Sequence, residues 1–205
     1  MHWTSEAAKR AFDVVASSLL LVVLSIPMTL IALATRLLLG PPVLYRSQRP
    51  GLDGNLFTLY KFRTMSEDVD ENGDLRPDGE RLTGFGRLLR SWSLDELPEL
   101  LNVLRGDMSL VGPRPLLPEY LDRYDDQQKR RHEVRPGLTG LAQVRGRNAL
   151  TWDERLTLDV WYVDNRSMAV DIKILAATVA MVLTRKGVSA PDHATMPEFR
   201  GHEET

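Results

Sequence analysis

The chain has no cysteine among its 205 residues and only four histidines, of which His2, His193 and His202 lie near the ends. A disulfide framework, thiolate-held zinc or iron–sulfur centres and a cysteine nucleophile are therefore excluded. With His132 alone in the body of the chain, histidine-rich metal sites and most Ser–His arrangements are poorly supplied. An excess of one charge is also missing: 26 Lys and Arg face 28 Asp and Glu, a net charge of −2, which argues against a protein that binds nucleic acid. The length fits one domain with at most an appendage. A hydrophobic fraction of 43% and a charged fraction of 26% suit a chain that buries a core. Any chemistry then falls to carboxylates, Arg and Lys.

The mean hydropathy of −0.22 conceals an uncharged run of 22 residues at positions 14–35. That is long enough to be read as a membrane segment. It is long for a signal peptide, and no small-residue cleavage site follows. On hydropathy alone a spanning helix is the first reading, and two features oppose it. Pro27 sits near the middle, where it removes a helical hydrogen bond and kinks the chain. Both flanks are basic, Lys9 and Arg10 before, then Arg36, Arg46, Arg49, Lys61 and Arg63 after, and positive flanks stay cytoplasmic. The expectation is a re-entrant hairpin, broken around Ser25 and Pro27, with both ends on the cytoplasmic face.

Residues 43–63 read as a β-hairpin turning at Gly51-Leu52-Asp53-Gly54, with Lys61 and Arg63 on one face. Residues 66–80 are acidic and turn-rich. They begin like an EF-hand loop, but Gly79 stands at the twelfth position and Pro77 intrudes. Asp68-x-Asp70 also resembles the metal motif of some nucleotide-sugar glycosyltransferases; a solvated loop is the expectation. Amphipathic spacing predicts helices over 81–92 and 94–105, the second closed by Gly106. Further helices are expected over 116–132, which is strongly charged, and 153–163. The apolar stretch 172–183 is too short to span. It suits a core or an interfacial helix, with Trp161 and Tyr162 as interface aromatics. The expected fold class is mostly α with a small β-hairpin, an N-terminal re-entrant membrane helix-break-helix, and interfacial amphipathic helices. The expected divisions are a membrane hairpin (1–40), a main domain (41–187) and a disordered tail (188–205).

Ser93-Leu94-Asp95-Glu96-Leu97-Pro98 carries two readings. Ser93 and Glu96 have capping-box spacing, with Asp95 complementing the helix dipole. That start puts Pro98 at the fifth helical position, where its ring crowds the carbonyl of Leu94, whereas proline prefers the first. A helix starting near Pro98 would instead leave Asp95 and Glu96 at an irregular junction, able to hold a divalent cation. Locally, capping is the stronger reading. The surroundings add Arg90, Arg114 between Pro113 and Pro115, and Arg135, Arg145 and Arg147 in a Gly-rich stretch. Guanidinium forks suit phosphate oxygens, although each Arg could also serve a surface ion pair. An ionised Asp, a neighbouring Glu and several such cations make a phosphoryl-transfer set.

These segments resemble the bacterial sugar transferase family, the small monotopic polyprenyl-phosphate phosphoglycosyl transferases. The likeness runs through Lys9-Arg10-Ala11-Phe12-Asp13, Lys61-Phe62-Arg63-Thr64-Met65, Arg90 to Pro98, residues 102–115, Arg135-Pro136-Gly137-Leu138-Thr139-Gly140 and residues 143–148. It implies transfer of a sugar-1-phosphate from a UDP-sugar to polyprenyl (undecaprenyl) phosphate with release of UMP, the first membrane step of glycan assembly, at the bacterial inner membrane. It implies Asp95 as the nucleophile that carries the phospho-sugar and contacts Mg²⁺, and Glu96 as its partner. Arg90 and Arg114 would hold phosphates, with Lys61, Arg63, Arg145 and Gln143 as further substrate contacts. The family's break is typically Ser-Pro; here Ile26 separates Ser25 from Pro27. The chain resembles the minimal catalytic form, and a homodimer is compatible with it. The rival expectations are a metal-dependent glycosyltransferase using Asp68 and Asp70 and releasing UDP, and a non-catalytic adaptor at the membrane surface.

Overall fold

The computed structural model describes residues 6–146, 149–184 and 198–201. The apolar run folds into two helices, α1 (Glu6–Val23) and α2 (Ser25–Leu39), which meet at Leu24 with a bend of 62°. The break therefore lies one turn before Pro27, not at it. A proline lacks the N–H that the carbonyl four residues earlier would accept, and its ring crowds that carbonyl. The distortion consequently falls on Val23 and Leu24, while Pro27 itself sits comfortably in the first turn of α2. The Ser25 hydroxyl donates to the carbonyl of Val22 at 2.8 Å, satisfying one acceptor at the break. Among the described residues no single helix is long and apolar enough to cross a membrane, whereas the bent pair meets that test together. Val15, Leu19, Val22, Ile26, Leu30 and Leu37 all point outward from it.

The opposite side of α1 is polar and buried. Lys9 lies 3.1 Å from Asp13 and 2.8 Å from Asp171, at the start of α9 (Met168–Thr184). Tyr162, on α8 (Trp152–Asn165), donates to Asp171 at 2.7 Å. Asp13 accepts from the backbone N–H of Leu110, on β3 (Ser109–Val111), at 3.1 Å. Arg10 donates to the carbonyls of Val103 and Leu104 at 2.5 and 2.7 Å, closing the end of α5 (Glu99–Arg105). Carbonyls at a helix end need such partners.

β1 (Leu44–Pro50) and β2 (Leu56–Phe62) pair antiparallel, from Leu44 opposite Phe62 to Pro50 opposite Leu56. The hairpin is as expected. A second ladder is not: β3 pairs in parallel with β4 (Gly137–Thr139). Glycine makes that approach possible, since a Cβ on Gly137 would stand 2.1 Å from the backbone nitrogen of Gly112. Asn102 fastens α5 to the hairpin, donating to the carbonyl of Thr58 at 2.8 Å and accepting from the N–H of Tyr60 at 3.2 Å. Leu59, Leu100, Val103, Met108, Leu110, Tyr162 and Ile174 form the core between these elements.

Three helical expectations change. Residues 81–92 hold two helices, the end of α3 (Asp78–Arg81) and then α4 (Gly84–Ser91), whose N-cap Thr83 accepts from the N–H of Gly86. Residues 94–105 divide into a 3₁₀ turn at Leu94–Glu96 and α5. Residues 116–132 are no continuous helix but a 3₁₀ segment (Pro118–Arg123), the short α6 (Asp126–Lys129) and a second 3₁₀ turn (Arg130–His132). The capping box of Asp125 and Gln128 starts α6 in mid-stretch, and such a cap competes with continuation of a preceding helix. The tail is not wholly free: Phe199 is buried against Tyr120, Tyr124 and Trp152. Of positions 188–205, those other than 198–201 lie outside the described residues.

Replacing Lys9 by Met is expected to cost about 3–5 kcal/mol, because it leaves two carboxylates buried without their cation. Adding Asp13→Asn and Asp171→Asn should recover much of that loss in denaturation curves of the detergent-solubilised protein. A single Lys9→Met variant as stable as the parent would show that the triad does not hold α1.

Candidate active site

The junction before α5 has the irregular geometry that Pro98 demands. Ser93 is left-handed (φ 54, ψ 25) and its side chain does not cap the helix, so the capping box is not formed. Pro98 stands immediately before the first residue of α5. The 3₁₀ turn between them carries Asp95 and Glu96 into the wall of a cavity of about 1480 Å³.

That cavity has two kinds of wall. Phe12, Ala16, Leu19 and Leu20 of α1 and Leu175, Met181 and Val182 of α9 supply an apolar one. The other is charged and brings together Lys61, Arg63, Arg90, Asp95, Glu96 and Arg114, with Gln143 from α7 (Leu141–Arg145). Arg145 does not join them; it is exposed at the end of α7. Arg135 donates to the carbonyl of Gly106 at 2.9 Å and serves the end of α5. Arg147 lies outside the described residues.

The two carboxylates have opposite surroundings. Glu96 Oε1 lies 2.8 Å from Lys61 Nζ and 2.5 Å from an Arg114 guanidinium nitrogen. Burial opposes its ionisation, but those two cations outweigh burial and hold its carboxyl well below the usual range. Asp95, 8% exposed, makes no hydrogen bond or ion pair among the described residues. Burial and then the charge of Glu96 push its carboxyl up, against Lys61, Arg90 and Arg114. Asp95 is thus a poorly solvated carboxylate inside a ring of cations, the condition of an activated oxygen nucleophile.

Arg90 is fixed by its Nε, which donates to Thr64 Oγ1 at 3.1 Å. Its helix can lie that close to Thr64 only because position 86 is glycine; a Cβ there would come within 1.9 Å of the Thr64 carbonyl oxygen. Arg63 is engaged elsewhere. It donates to the carbonyls of Leu39 and Gly40 and pairs with Glu67 at 3.2 Å, so it closes the C-terminal end of α2 at the cavity edge. Gln143 donates to the carbonyl of Leu138 at 3.2 Å, and its Oε1 is buried without a hydrogen-bond partner.

Sequence reasoning missed Glu99, Thr64, Arg49, Arg155 and Asp159. Glu99 is fully enclosed and lies 3.1 Å from Lys61. Burial pushes its carboxyl up to about 7, with Lys61 opposing and Glu96 adding to the rise. Its spacing of three from Glu96 was the available signal, since such residues share a helix face. The others reach the cavity from distant elements and left no local pattern. Asp68 and Asp70 occupy the exposed loop, where Asp70 accepts from the N–H groups of Asn72 and Asp74 at 2.9 and 3.0 Å.

A divalent cation fits this wall through Asp95 alone. Glu96 and Glu99 are committed to Lys61 and Arg114, and no group of three metal-ligating side chains occurs among the described residues. One carboxylate plus phosphate oxygens and water suits Mg²⁺, which seldom uses an all-protein cage.

A buried carboxylate ringed by Arg and Lys beside an apolar wall suits an anionic substrate with an apolar part. The chain belongs to the bacterial sugar transferase family, whose model matches residues 4–185. It is 53% identical over 193 residues to the uncharacterised sugar transferase EpsL of Bacillus subtilis, covering 94% of this chain and 96% of that one. It is 44% identical over 186 residues to the UDP-glucose:undecaprenyl-phosphate glucose-1-phosphate transferase of Caulobacter vibrioides, covering 86% of this chain and 70% of the relative. It is also 41% identical to the undecaprenyl-phosphate galactose phosphotransferase of Salmonella typhimurium over 90% of this chain, which spans only 42% of that relative.

Glu99 makes the stability pH-dependent with a defined sign. Its folded pKa of about 7 exceeds the ordinary 4.5, so its contribution is present below 4.5 and is lost as pH rises through 7. His132 opposes it: burial first and then Arg131 lower its pKa from 6.5 to about 4, and that contribution is lost as pH falls from 6.5 to 4. Comparing Glu99→Gln with the parent cancels the His132 effect. The variant should gain on the order of 2–3 kcal/mol relative to the parent between pH 4.5 and 7. Parallel stability curves across that range would refute the assignment.

Proposed function

We propose that this chain transfers a sugar-1-phosphate from a UDP-sugar to undecaprenyl phosphate, with Asp95 as the covalent nucleophile. The observation that carries the proposal is the contrast between the two adjacent carboxylates: Glu96 is neutralised by Lys61 and Arg114, while Asp95 is left without a partner in the cavity wall. The activities for which the Caulobacter and Salmonella relatives are named support the reaction class.

An Asp95 oxygen attacks the β-phosphorus of the donor. The bond from that phosphorus to the bridging oxygen breaks, its electron pair stays on the oxygen, and UMP departs. A phosphate oxygen of the acceptor then attacks the aspartyl phosphorus. This second displacement returns the Asp95 carboxylate and yields polyprenyl-diphosphate-sugar. Arg90 and Arg114 orient the phosphate oxygens and offset their charge. Lys61 and Arg114 keep Glu96 ionised and fixed, which stops it from competing as nucleophile. Asp95 would hold Mg²⁺, and the ion would supply neutralisation of the diphosphate charge when bound. The apolar wall of α1 and α9 accommodates the first isoprene units, and the bent pair α1–α2 enters one leaflet of the inner membrane and returns to the cytoplasmic face.

Two measurements test this. A panel of UDP-sugars with undecaprenyl phosphate and Mg²⁺ should yield UMP, and Asp95→Asn should reduce the rate by at least about a thousandfold. UDP as the nucleotide product would favour the metal-dependent glycosyltransferase, and normal UMP release by Asp95→Asn would rule out the nucleophile. In the cysteine-free background, single cysteines at Glu6, Leu24 and Gly40 should show both ends of the hairpin labelled from the cytoplasmic side and Leu24 protected. Periplasmic labelling of either end would exclude re-entry.

A further inference from the structure

Phe199 is buried in a cluster with Leu116, Tyr120, Tyr124 and Leu156, apart from the main core. Its ring centroid lies 5.6 Å from that of Tyr120, 5.5 Å from Tyr124 and 5.3 Å from Trp152. The contact with Tyr124 is stacked and that with Tyr120 is edge-on, two geometries that aromatic pairs prefer. Polar groups fix the backbone around the ring. The Phe199 N–H donates to the Tyr120 hydroxyl at 3.3 Å. Arg123 donates to the Phe199 carbonyl and, at 2.7 Å, to the Glu198 carboxylate. A segment held by a buried ring and by backbone hydrogen bonds sits in one register. Residues 198–201 are therefore docked on the catalytic domain.

Two routes couple this cluster to the charged wall of the cavity. The first is covalent. Leu116 belongs to the cluster and follows Arg114 by two residues, with Pro115 between them. Proline fixes its own φ and restricts the residue before it, so a shift of Leu116 passes to the Arg114 backbone with little slack. The second route is a chain of hydrogen bonds. The Tyr124 hydroxyl accepts from Arg131 at 3.4 Å, and the guanidinium lies 5.6 Å from the ring centroid. The same guanidinium binds Asp159 at 2.7 and 3.1 Å and donates to the Arg114 carbonyl at 2.7 Å. Arg131 and Asp159 are both buried. A buried ion pair holds its geometry only while water is excluded and further partners complete it. Tyr124 is such a partner, and Phe199 is stacked on its ring. Arg114 in turn presents its side chain to Glu96 at 2.5 Å.

We propose that Phe199 is a positioning residue for Arg114: with residues 198–201 docked, the aromatic cluster and Arg131 hold the Arg114 backbone where its guanidinium meets both Glu96 and a phosphate of the donor. The proposal rests on Arg114 as a phosphate-binding group in the reaction assigned above, and it adds a residue from a distant part of the chain. When the segment is undocked, water reaches the Tyr124 ring and the pair behind it. Arg114 then keeps its charge and loses its place, and the wall binds a diphosphate less tightly.

The test uses the full chain in nanodiscs, with equilibrium binding of UDP as a readout independent of turnover. Arg114→Gln should weaken UDP at least about tenfold, the scale of one charge-assisted hydrogen bond. Phe199→Ala should weaken it about threefold to tenfold, within the range of coupling between connected residues. The double variant should bind UDP no more weakly than Arg114→Gln alone, because the ring acts through that guanidinium. A ring that only filled a core would add its loss to that of Arg114. Phe199→Leu keeps apolar burial without the stack and should lie between Phe199→Ala and the parent, which also covers an alanine variant that fails to fold. Additive losses in folded variants, or UDP binding unchanged by Arg114→Gln or by the Phe199 variants, would overturn the proposal. If the parent shows the non-additive pattern yet releases no UMP from any UDP-sugar, the reaction falls and the positioning role stands. If UMP is released and the losses add, the reaction stands and the positioning role falls.

Discussion

The ammonium of Lys9 is held between Asp13 and Asp171 at the centre of the molecule, and most of the architecture follows from that contact. An ion triad so deeply buried is tolerated only when further hydrogen bonds complete it. Tyr162 and the backbone of Leu110 do so here. The triad joins the base of an apolar helix to α9, α8 and the β3–β4 ladder, and Arg10 joins it to the end of α5. Because α5 begins where the turn carrying Asp95 ends, the same contacts that anchor α1 also fix the carboxylates relative to it. The height of the reactive group above the bent helix pair is thereby set by rigid packing rather than by a linker.

Charge within the cavity is distributed by the same logic. Lys61 lies between Glu96 and Glu99, Arg114 completes the pairing of Glu96, and Asp95 receives field from Glu96, Lys61, Arg90 and Arg114 without a bond to any among the described residues. A carboxylate with a direct Arg partner would be a stable anion and a poor nucleophile; one with no cations nearby would hold its proton in such a buried place. Asp95 lies between these limits. The backbone supports this by irregularity, with Ser93 in the left-handed region and Pro98 preventing a helix from forming one turn too early.

Much of this was legible in the chain itself. The apolar run, its proline and its basic flanks marked a bent helical pair. The conflict between a capping spacing and Pro98 marked a junction, and the conflict was resolved in favour of the proline because a missing N–H and a ring clash cannot be relaxed by side-chain movement. Less was legible where local signals compete. The charged stretch 116–132 has helical composition, yet Pro118 and the cap at Asp125 divide it. The proline marks a break around Ser25 and Pro27, and the bend falls at Leu24, because a proline acts on the carbonyl four residues earlier. Arg63, which the resemblance implies as a substrate contact, lines the cavity and also completes the end of α2.

Composition and order in the sequence determined the class of chemistry, since a chain without cysteine and with one internal histidine leaves carboxylates to react and cations to bind. They also determined the elements, through periodicity and proline. The tertiary structure alone decided which charges meet. Glu99 becomes a neighbour of Lys61, Arg49 and Arg155 become neighbours of Arg114, and Arg145 is left outside. These encounters join residues dozens of positions apart through packing of α5, α8 and the hairpin, and electrostatic energy depends on distance and burial in space, which no spacing along a chain encodes.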